Sequence, residues 1–245
     1  PEDAAADDAT EGPRGAGVNT SFTVALREVL SEPQARRFTV FVLVSMLAYG
    51  LQDLILEPFA GLVFAMTPGE TTTLTGVQNQ GVLLGMILVG AMANRFGGLP
   101  LWTVGGCLVA AGALAALVFG GLAGPGWPLH ATVFMLGAGT GAYAVAAIGT
   151  MMSLVSAGHR SREGVRMGVW GAAQAIAMAT GGVLGTVAVD LTRTVLATPA
   201  HAYGLVFSGE ALLFLVSAVL AVRATGLRLP ITQATTRPLA AGELR

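Results

Sequence analysis

Six apolar runs set the limits on what this chain can become. They lie at about residues 38–66, 74–93, 99–121, 129–155, 164–189 and 203–222. Each supplies the ~20 residues that a helix needs to cross a hydrocarbon layer ~30 Å thick. Inside that layer every backbone N–H and C=O must be satisfied within the segment, so runs of this length are helices. The expected fold class is therefore all-α, a polytopic membrane protein with six transmembrane helices. Composition agrees, with 53% of residues hydrophobic and 11% charged, where a soluble domain is about 25% charged. A net charge of −1 argues against a nucleic-acid partner. The single cysteine, Cys107, sits inside an apolar run and allows no intrachain disulfide. No metal-ligand spacing, nucleophile elbow or phosphate-binding loop is found, so an enzyme is not expected.

The segments between the runs assign an orientation. Arg36 and Arg37 precede the first span, Arg95 lies between the second and third, and Arg160, Arg162 and Arg166 lie between the fourth and fifth. Arg223 and Arg228 follow the sixth, and the opposite loops hold only Arg193. Basic residues collect on the cytoplasmic side, which predicts that both ends are cytoplasmic. Residues 1–20 read as an acidic disordered linker, with Glu2, Asp3, Asp7, Asp8 and Glu11. Residues 21–33 read as an amphipathic helix on the membrane surface, with Phe22, Leu26, Val29 and Leu30 on one face. The six-helix domain is expected over 34–224 and a cytoplasmic tail over 225–245. The start at Pro1 suggests a chain that begins inside a longer protein. Trp102, Trp127 and Trp170 lie near span ends, where interface anchors are expected.

The first span carries the candidate site. Asp53 and Glu57 interrupt it at i, i+4, a spacing that stacks two side chains on one helix face. Gln52 is beside them, and Pro58 cannot donate to the Leu54 carbonyl. Each ionisable group at a helix centre costs roughly 2.5–3.5 kcal/mol on insertion scales. Such a pair either carries a proton in a transport cycle, or it packs as a buried pair with at least one member protonated. Gln78, Asn79 and Gln80, near the start of the second span, are placed to satisfy the acids or else form a solvated helix start. Asp190 is expected at an interface and Glu210 to snorkel. His130, His159 and His201 all fall at span ends or in loops. The pairs Gly81/Gly85, Gly137/Gly141, Gly164/Gly168 and Gly181/Gly185 have helix-packing spacing; a glycine-lined pocket for a flat ligand is the minority reading.

Two motifs suggest a family. The turn from Gly90 to Gly98, GAMANRFGG, is similar to the G-x-x-x-D-R-x-G-R-R cytoplasmic turn of the major facilitator superfamily. Asn94 stands in place of the acid, Arg95 and Gly97 are kept, and Gly98 replaces an Arg. RSREGVRMG, 160–168, also resembles the cytoplasmic entry to a late helix of that superfamily. More specifically, QDLILEPFAG, TPGE and GVLLGM, within a match over about 21–223, resemble the PucC-type light-harvesting assembly proteins, the bacteriochlorophyll-delivery branch of the superfamily. The match is to the second half of that family's twelve spans, so the resemblance implies one half of a major-facilitator-type fold. Relatives often carry His where Asn79 stands.

The resemblance further implies an assembly factor in the bacterial inner, intracytoplasmic photosynthetic membrane, handling bacteriochlorophyll or antenna polypeptides. Its implied cofactor is transiently bound bacteriochlorophyll, whose magnesium or polar edge Asp53 and Glu57 would hold, since magnesium favours oxygen ligands. Its implied partners are light-harvesting antenna subunits, the reaction centre, the protein's own N-terminal six-helix half and membrane lipid. The polar cluster implied for binding is Gln52, Asp53, Glu57, Gln78 and Asn79, with Asn94, Arg95 and Gly97 as the cytoplasmic turn. The alternative is a solute or proton-coupled transporter of the same superfamily.

Overall fold

A computed structural model describes residue 27 and residues 31–156, 163–196 and 198–225. The acidic leader, most of the expected surface helix, His159, Arg160 and Arg162 before the fifth span and the tail beyond 225 lie outside the described residues. The described chain forms α1 (Pro33–Asp53), α2 (Leu56–Phe64), α3 (Pro68–Met92), α4 (Gly98–Ala123), α5 (Leu129–Ser156), α6 (Glu163–Val195) and α7 (Pro199–Thr225). By length and apolarity, α1 with α2 makes the first of six candidate spans and α3 to α7 make the other five. The chain is an all-α polytopic membrane protein.

Local chemistry places the helix ends. The second span begins at Pro68, six residues before the expected start, because Thr67 and Glu70 form a capping box. The Thr67 N–H donates to Glu70 Oε2 at 2.7 Å and the Thr67 hydroxyl to the same oxygen at 2.9 Å. An acid in the first turn also meets the positive end of the helix dipole. Between α3 and α4 the chain reverses through Gly97 (φ 76°) and Gly98 (φ 74°), conformations that residues with a Cβ rarely adopt.

The helices pair by a rule that repeats. In the first three spans α1, α3 and α4 play the parts that α5, α6 and α7 play in the last three. Helix α5 packs on α3 and α4, while α1 packs on α6 and α7, and α4 against α7 joins the two sets. Successive spans run in opposite directions, so α1 and α5 are antiparallel and the repeat is inverted, as in many membrane carriers. The edge helices are the least enclosed. Only 22% of the α3 apolar window and 33% of the α6 window are buried, against 61% for α5.

Glycines pave both main seams. A Cβ on Gly81 or Gly85 of α3 would strike the carbonyl oxygens of Phe134 and Ala138 on α5, and one on Gly137 or Gly141 would strike those of Gln78 and Val82. In the α1–α6 seam, Gly50 faces the Met178 carbonyl oxygen, Gly181 that of Leu47 and Gly185 that of Leu51. Three of the four expected pairs are thus helix contacts. Gly164 and Gly168 meet no described atom within 4 Å. Aromatic contacts fill the core at three levels. Phe38 packs edge-on to Trp170, Tyr143 to Phe214, and Phe59 to Phe207. Trp170 is therefore a correction to the anchor reading: it is 2% exposed and its N–H donates to Thr39 Oγ1 at 2.9 Å. On α1 the Phe38 ring packs against it and Thr39 satisfies its N–H, so burial inside the bundle wins over the interface.

Candidate functional site

The apolar run of the first span is two helices rather than one. Helix α1 stops at Asp53, and α2 starts at Leu56. The linking residues keep right-handed angles, φ −95° and ψ −12° at Leu54 and φ −106° and ψ −16° at Ile55. The Ile55 N–H donates to the Gln52 carbonyl at 3.2 Å, a tightened turn, and the Phe59 N–H donates to the Ile55 carbonyl at 3.0 Å. Pro58 has no N–H for the Leu54 carbonyl, which explains the break at this point. The second helix ends at Ala65 in a left-handed conformation, φ 54°.

The two acids flank this break. Asp53 is the last residue of α1, where the helix dipole disfavours it, and Glu57 lies in the first turn of α2, where the dipole favours it. Both are exposed on the described bundle. The Thr75 hydroxyl of α3 donates to Glu57 Oε1 at 2.8 Å. Tyr49, one turn before Asp53, lies within its electrostatic reach. A buried, interlocked acid pair is therefore not what forms; the acids face outward. Gln52 is the exception in the cluster, 1% exposed and turned into the bundle.

The amides take other places than expected. Because α3 begins at Pro68, Gln78 lies ten positions, about 15 Å, inside the helix rather than at a solvated start. Gln78 is half-buried and Asn79 and Gln80 are exposed, and none donates to Asp53 or Glu57 among the described residues. Asp53 is eleven positions and Glu57 seven from the end of α2, about 16 and 10 Å, so acids and amides fall in one band about 10–17 Å from the same end of the bundle. Asn94, Arg95 and Gly97 are exposed in the turn after α3, about 24 Å from Gln78 along the helix, and form a separate group.

Sequence reading missed Glu210. It is fully buried in α7, with neither carboxyl oxygen hydrogen-bonded. This corrects the snorkelling expectation: the residue lies with Phe207 and Phe214 among the buried residues of α7, not at an interface. The signal available in sequence was the spacing, since Glu210 falls three or four residues from Phe207 and Phe214. Asp190 is exposed, as an interfacial residue would be. His130 and His201 are each near the first turn of a helix, and the His201 ring contacts the Thr198 hydroxyl.

Chemically, the arrangement presents two carboxylates, a hydroxyl and three amides at membrane depth. Oxygen groups of this kind suit a proton or a hard cation such as magnesium. A second feature lies between α3 and α4 over α5. These neighbouring spans splay apart and leave a groove of about 370 Å³, walled by Leu88, Trp102 and Val109 and floored by Ala138, Gly139 and Ala142. Its lining is almost wholly apolar.

The family model described as PUCC protein matches residues 8–228 of this chain. The chain belongs to the PUCC family. Over 198 residues it is 54% identical to the bacteriochlorophyll synthase 44.5 kDa chain of Rhodobacter capsulatus, covering 80% of this chain and 46% of that protein. It is 30% identical over 177 residues to protein PucC of Rhodovulum sulfidophilum, covering 71% and 38%. Protein PucC of Rhodobacter capsulatus is 28% identical over 208 residues, covering 82% and 44%. The chain thus spans less than half the length of these PUCC-family relatives. No solved structure matches it. PUCC membership together with six long apolar helices makes it an integral membrane protein.

Proposed function

We propose that this chain contributes to an assembly factor for bacterial light-harvesting complexes, handling bacteriochlorophyll, antenna polypeptides or both. The observation that carries the reading is the exposure of Asp53 and Glu57 at mid-depth on a broken helix. Lipid is a costly neighbour for such groups, so this face is covered by protein or lines a polar cavity. The covering element in this reading is the protein's own N-terminal six-helix half, which completes a major-facilitator-type fold. The inverted pairing of the helices supports that arrangement. Free bacteriochlorophyll is insoluble in water and photoreactive, so it needs a protected route to its apoproteins. The oxygens of Asp53 and Glu57, with Gln78 and Asn79 nearby, would hold a magnesium centre more loosely than a histidine, which suits handover. Antenna subunits and the reaction centre are the receiving partners in this reading, in an intracytoplasmic photosynthetic membrane with both ends of the chain cytoplasmic. The reading is of a non-enzymatic protein; one relative's name as a synthase chain describes that relative.

A second reading, a solute or proton-coupled transporter, is favoured by the same inverted pairing. The test is a strain lacking the gene and any paralogue. The assembly reading expects antenna absorption to fall while pigment synthesis continues, and expects antenna subunits or pigment to co-purify with the intact protein. Normal antenna absorption in that strain leaves the transporter.

A further inference from the structure

Two polar side chains are sealed inside the bundle without partners. Gln52 is 1% exposed and Glu210 is 0% exposed. Gln52 Oε1 and both carboxyl oxygens of Glu210 are buried and accept or donate no hydrogen bond. Buried polar groups are almost always bonded, so three orphaned oxygens in one bundle call for an account.

Packing brings the two residues to one region. Helix α7 packs along α1 and α2. Phe59 of α2 meets Phe207 of α7 with ring centroids 4.9 Å apart and Tyr203 at 5.6 Å. Gln52 lies seven positions before Phe59, and Glu210 lies seven after Tyr203 and three after Phe207. Such spacings keep a residue on the same helix stripe. The intervening turn at Leu54 and Ile55 stays right-handed, which roughly preserves the phase. The first span and α7 are antiparallel, so from their shared aromatic contact both residues lie toward the same end, about one helical turn apart in depth.

The charge environment narrows the chemistry. Charged groups with described side chains on the helices packed against α7, and on α7 itself, are Arg36, Arg37, Asp53, Glu57, Asp190, Arg193 and Arg223, and all are exposed. The other titratable side chains there are Tyr49, Cys107, His201 and Tyr203, of which His201 is exposed on the first turn of α7, together with buried Tyr143 of α5, which packs against Phe214 and whose hydroxyl donates to Met46 Sδ. Among the described residues no cation faces Glu210. An ionised carboxylate buried alone is costly, whereas a protonated carboxyl has one O–H to donate and glutamine has one oxygen to accept it.

We infer that Gln52 and Glu210 form a proton-holding site in the core, where Glu210 keeps its proton and donates the O–H to Gln52 Oε1, directly or across one buried water. The bond ties α7 to the last turn of α1, immediately before the break. Gln52 is held inward, and its neighbour Asp53 is thereby turned outward. Glu210 acts as a positioning residue for the acidic face, through Gln52, and the inference holds whichever cargo that face serves.

Infrared spectroscopy of the full chain in lipid nanodiscs tests it. A protonated carboxyl gives a carbonyl stretch well separated from that of a carboxylate, and hydrogen bonding lowers its frequency. At neutral pH, Glu210→Gln should remove one such band. Gln52→Met, which keeps length and loses the acceptor, should keep the band and move it to higher frequency. Gln52→Asn, which draws the amide back by one methylene, should also shift it and serves if Gln52→Met does not accumulate. A spectrum in which Glu210→Gln removes no protonated-carboxyl band overturns the site. A band indifferent to the Gln52 variants overturns the pairing.

Discussion

The first three spans and the last three share a pairing scheme but differ where it matters. Helix α5, which corresponds to α1, runs unbroken from Leu129 to Ser156, and its buried Thr140 hydroxyl is bonded to its own backbone at Leu136 and Gly137. Helix α1 breaks before Pro58 and exposes an acid on each side of the break. Its edge partner α3 adds Thr75, Gln78 and Asn79 at the same depth. One repeat is thus mainly scaffold, and the other carries the polar face. A helix break is a natural place for such a face, because proline frees a carbonyl that then needs polar surroundings.

The largest effect should come from the seams. In the α3–α5 seam, Gly85→Ala or Gly141→Ala forces a Cβ onto backbone carbonyl oxygen that no rotamer can move. Each should lower stability by about 1–3 kcal/mol, read by thermal unfolding in detergent. Gly181→Ala in the α1–α6 seam meets a less severe approach and should lie at the lower end of that range. Gly112→Ala, with no described atom within 4 Å, should cost nothing and should raise stability by up to about 1 kcal/mol, because alanine suits a helix interior better than glycine. Equal losses at all four positions would break the comparison.

The break itself gives the next effect. Pro58→Ala restores an N–H for the Leu54 carbonyl, and should alter the distance between spin labels at the exposed positions Val40 and Leu62. An unchanged distance would mean that packing, not proline, sets the break. Thr75→Val removes the hydroxyl from Glu57 and should cost about 1 kcal/mol or less, because the bond is exposed. The least perturbing test uses cysteine labelling. Cys107 is 0% exposed and should stay unlabelled in the folded protein, while Gly69→Cys and Gly126→Cys, both exposed and free of described neighbours, should react from the periplasmic side. Reaction of either from the cytoplasmic side alone would reverse the proposed orientation.

The fold was readable from sequence because lipid leaves long apolar runs one option, and the span centres fall where the runs predict. The start of α3 was less readable, since TPGETTT looks like a solvated loop until Thr67 and Glu70 are seen to cap each other. That misplacement moved Gln78 and Asn79 from an assumed surface position to mid-depth. The acids at 53 and 57 stood out because charge is rare in such a run. Their outward direction did not, since it depends on the break and on α3. Glu210 was readable as an acid in a span but not as a buried one, because its enclosure comes from α1 and α4 packing on α7. Trp170 misled in the same way, with Phe38 and Thr39 as the partners that only the tertiary structure supplies.

The central claim is that the acidic face at the break of the first span serves assembly. The most direct measurement is the antenna absorption of cells carrying Asp53→Asn with Glu57→Gln, set against the abundance of the variant in the membrane. Those substitutions keep size and hydrogen-bonding capacity and remove charge. The account predicts normal abundance with antenna absorption reduced toward the level of the deletion strain. Normal antenna absorption at normal abundance would contradict it and leave the two acids with no part in assembly.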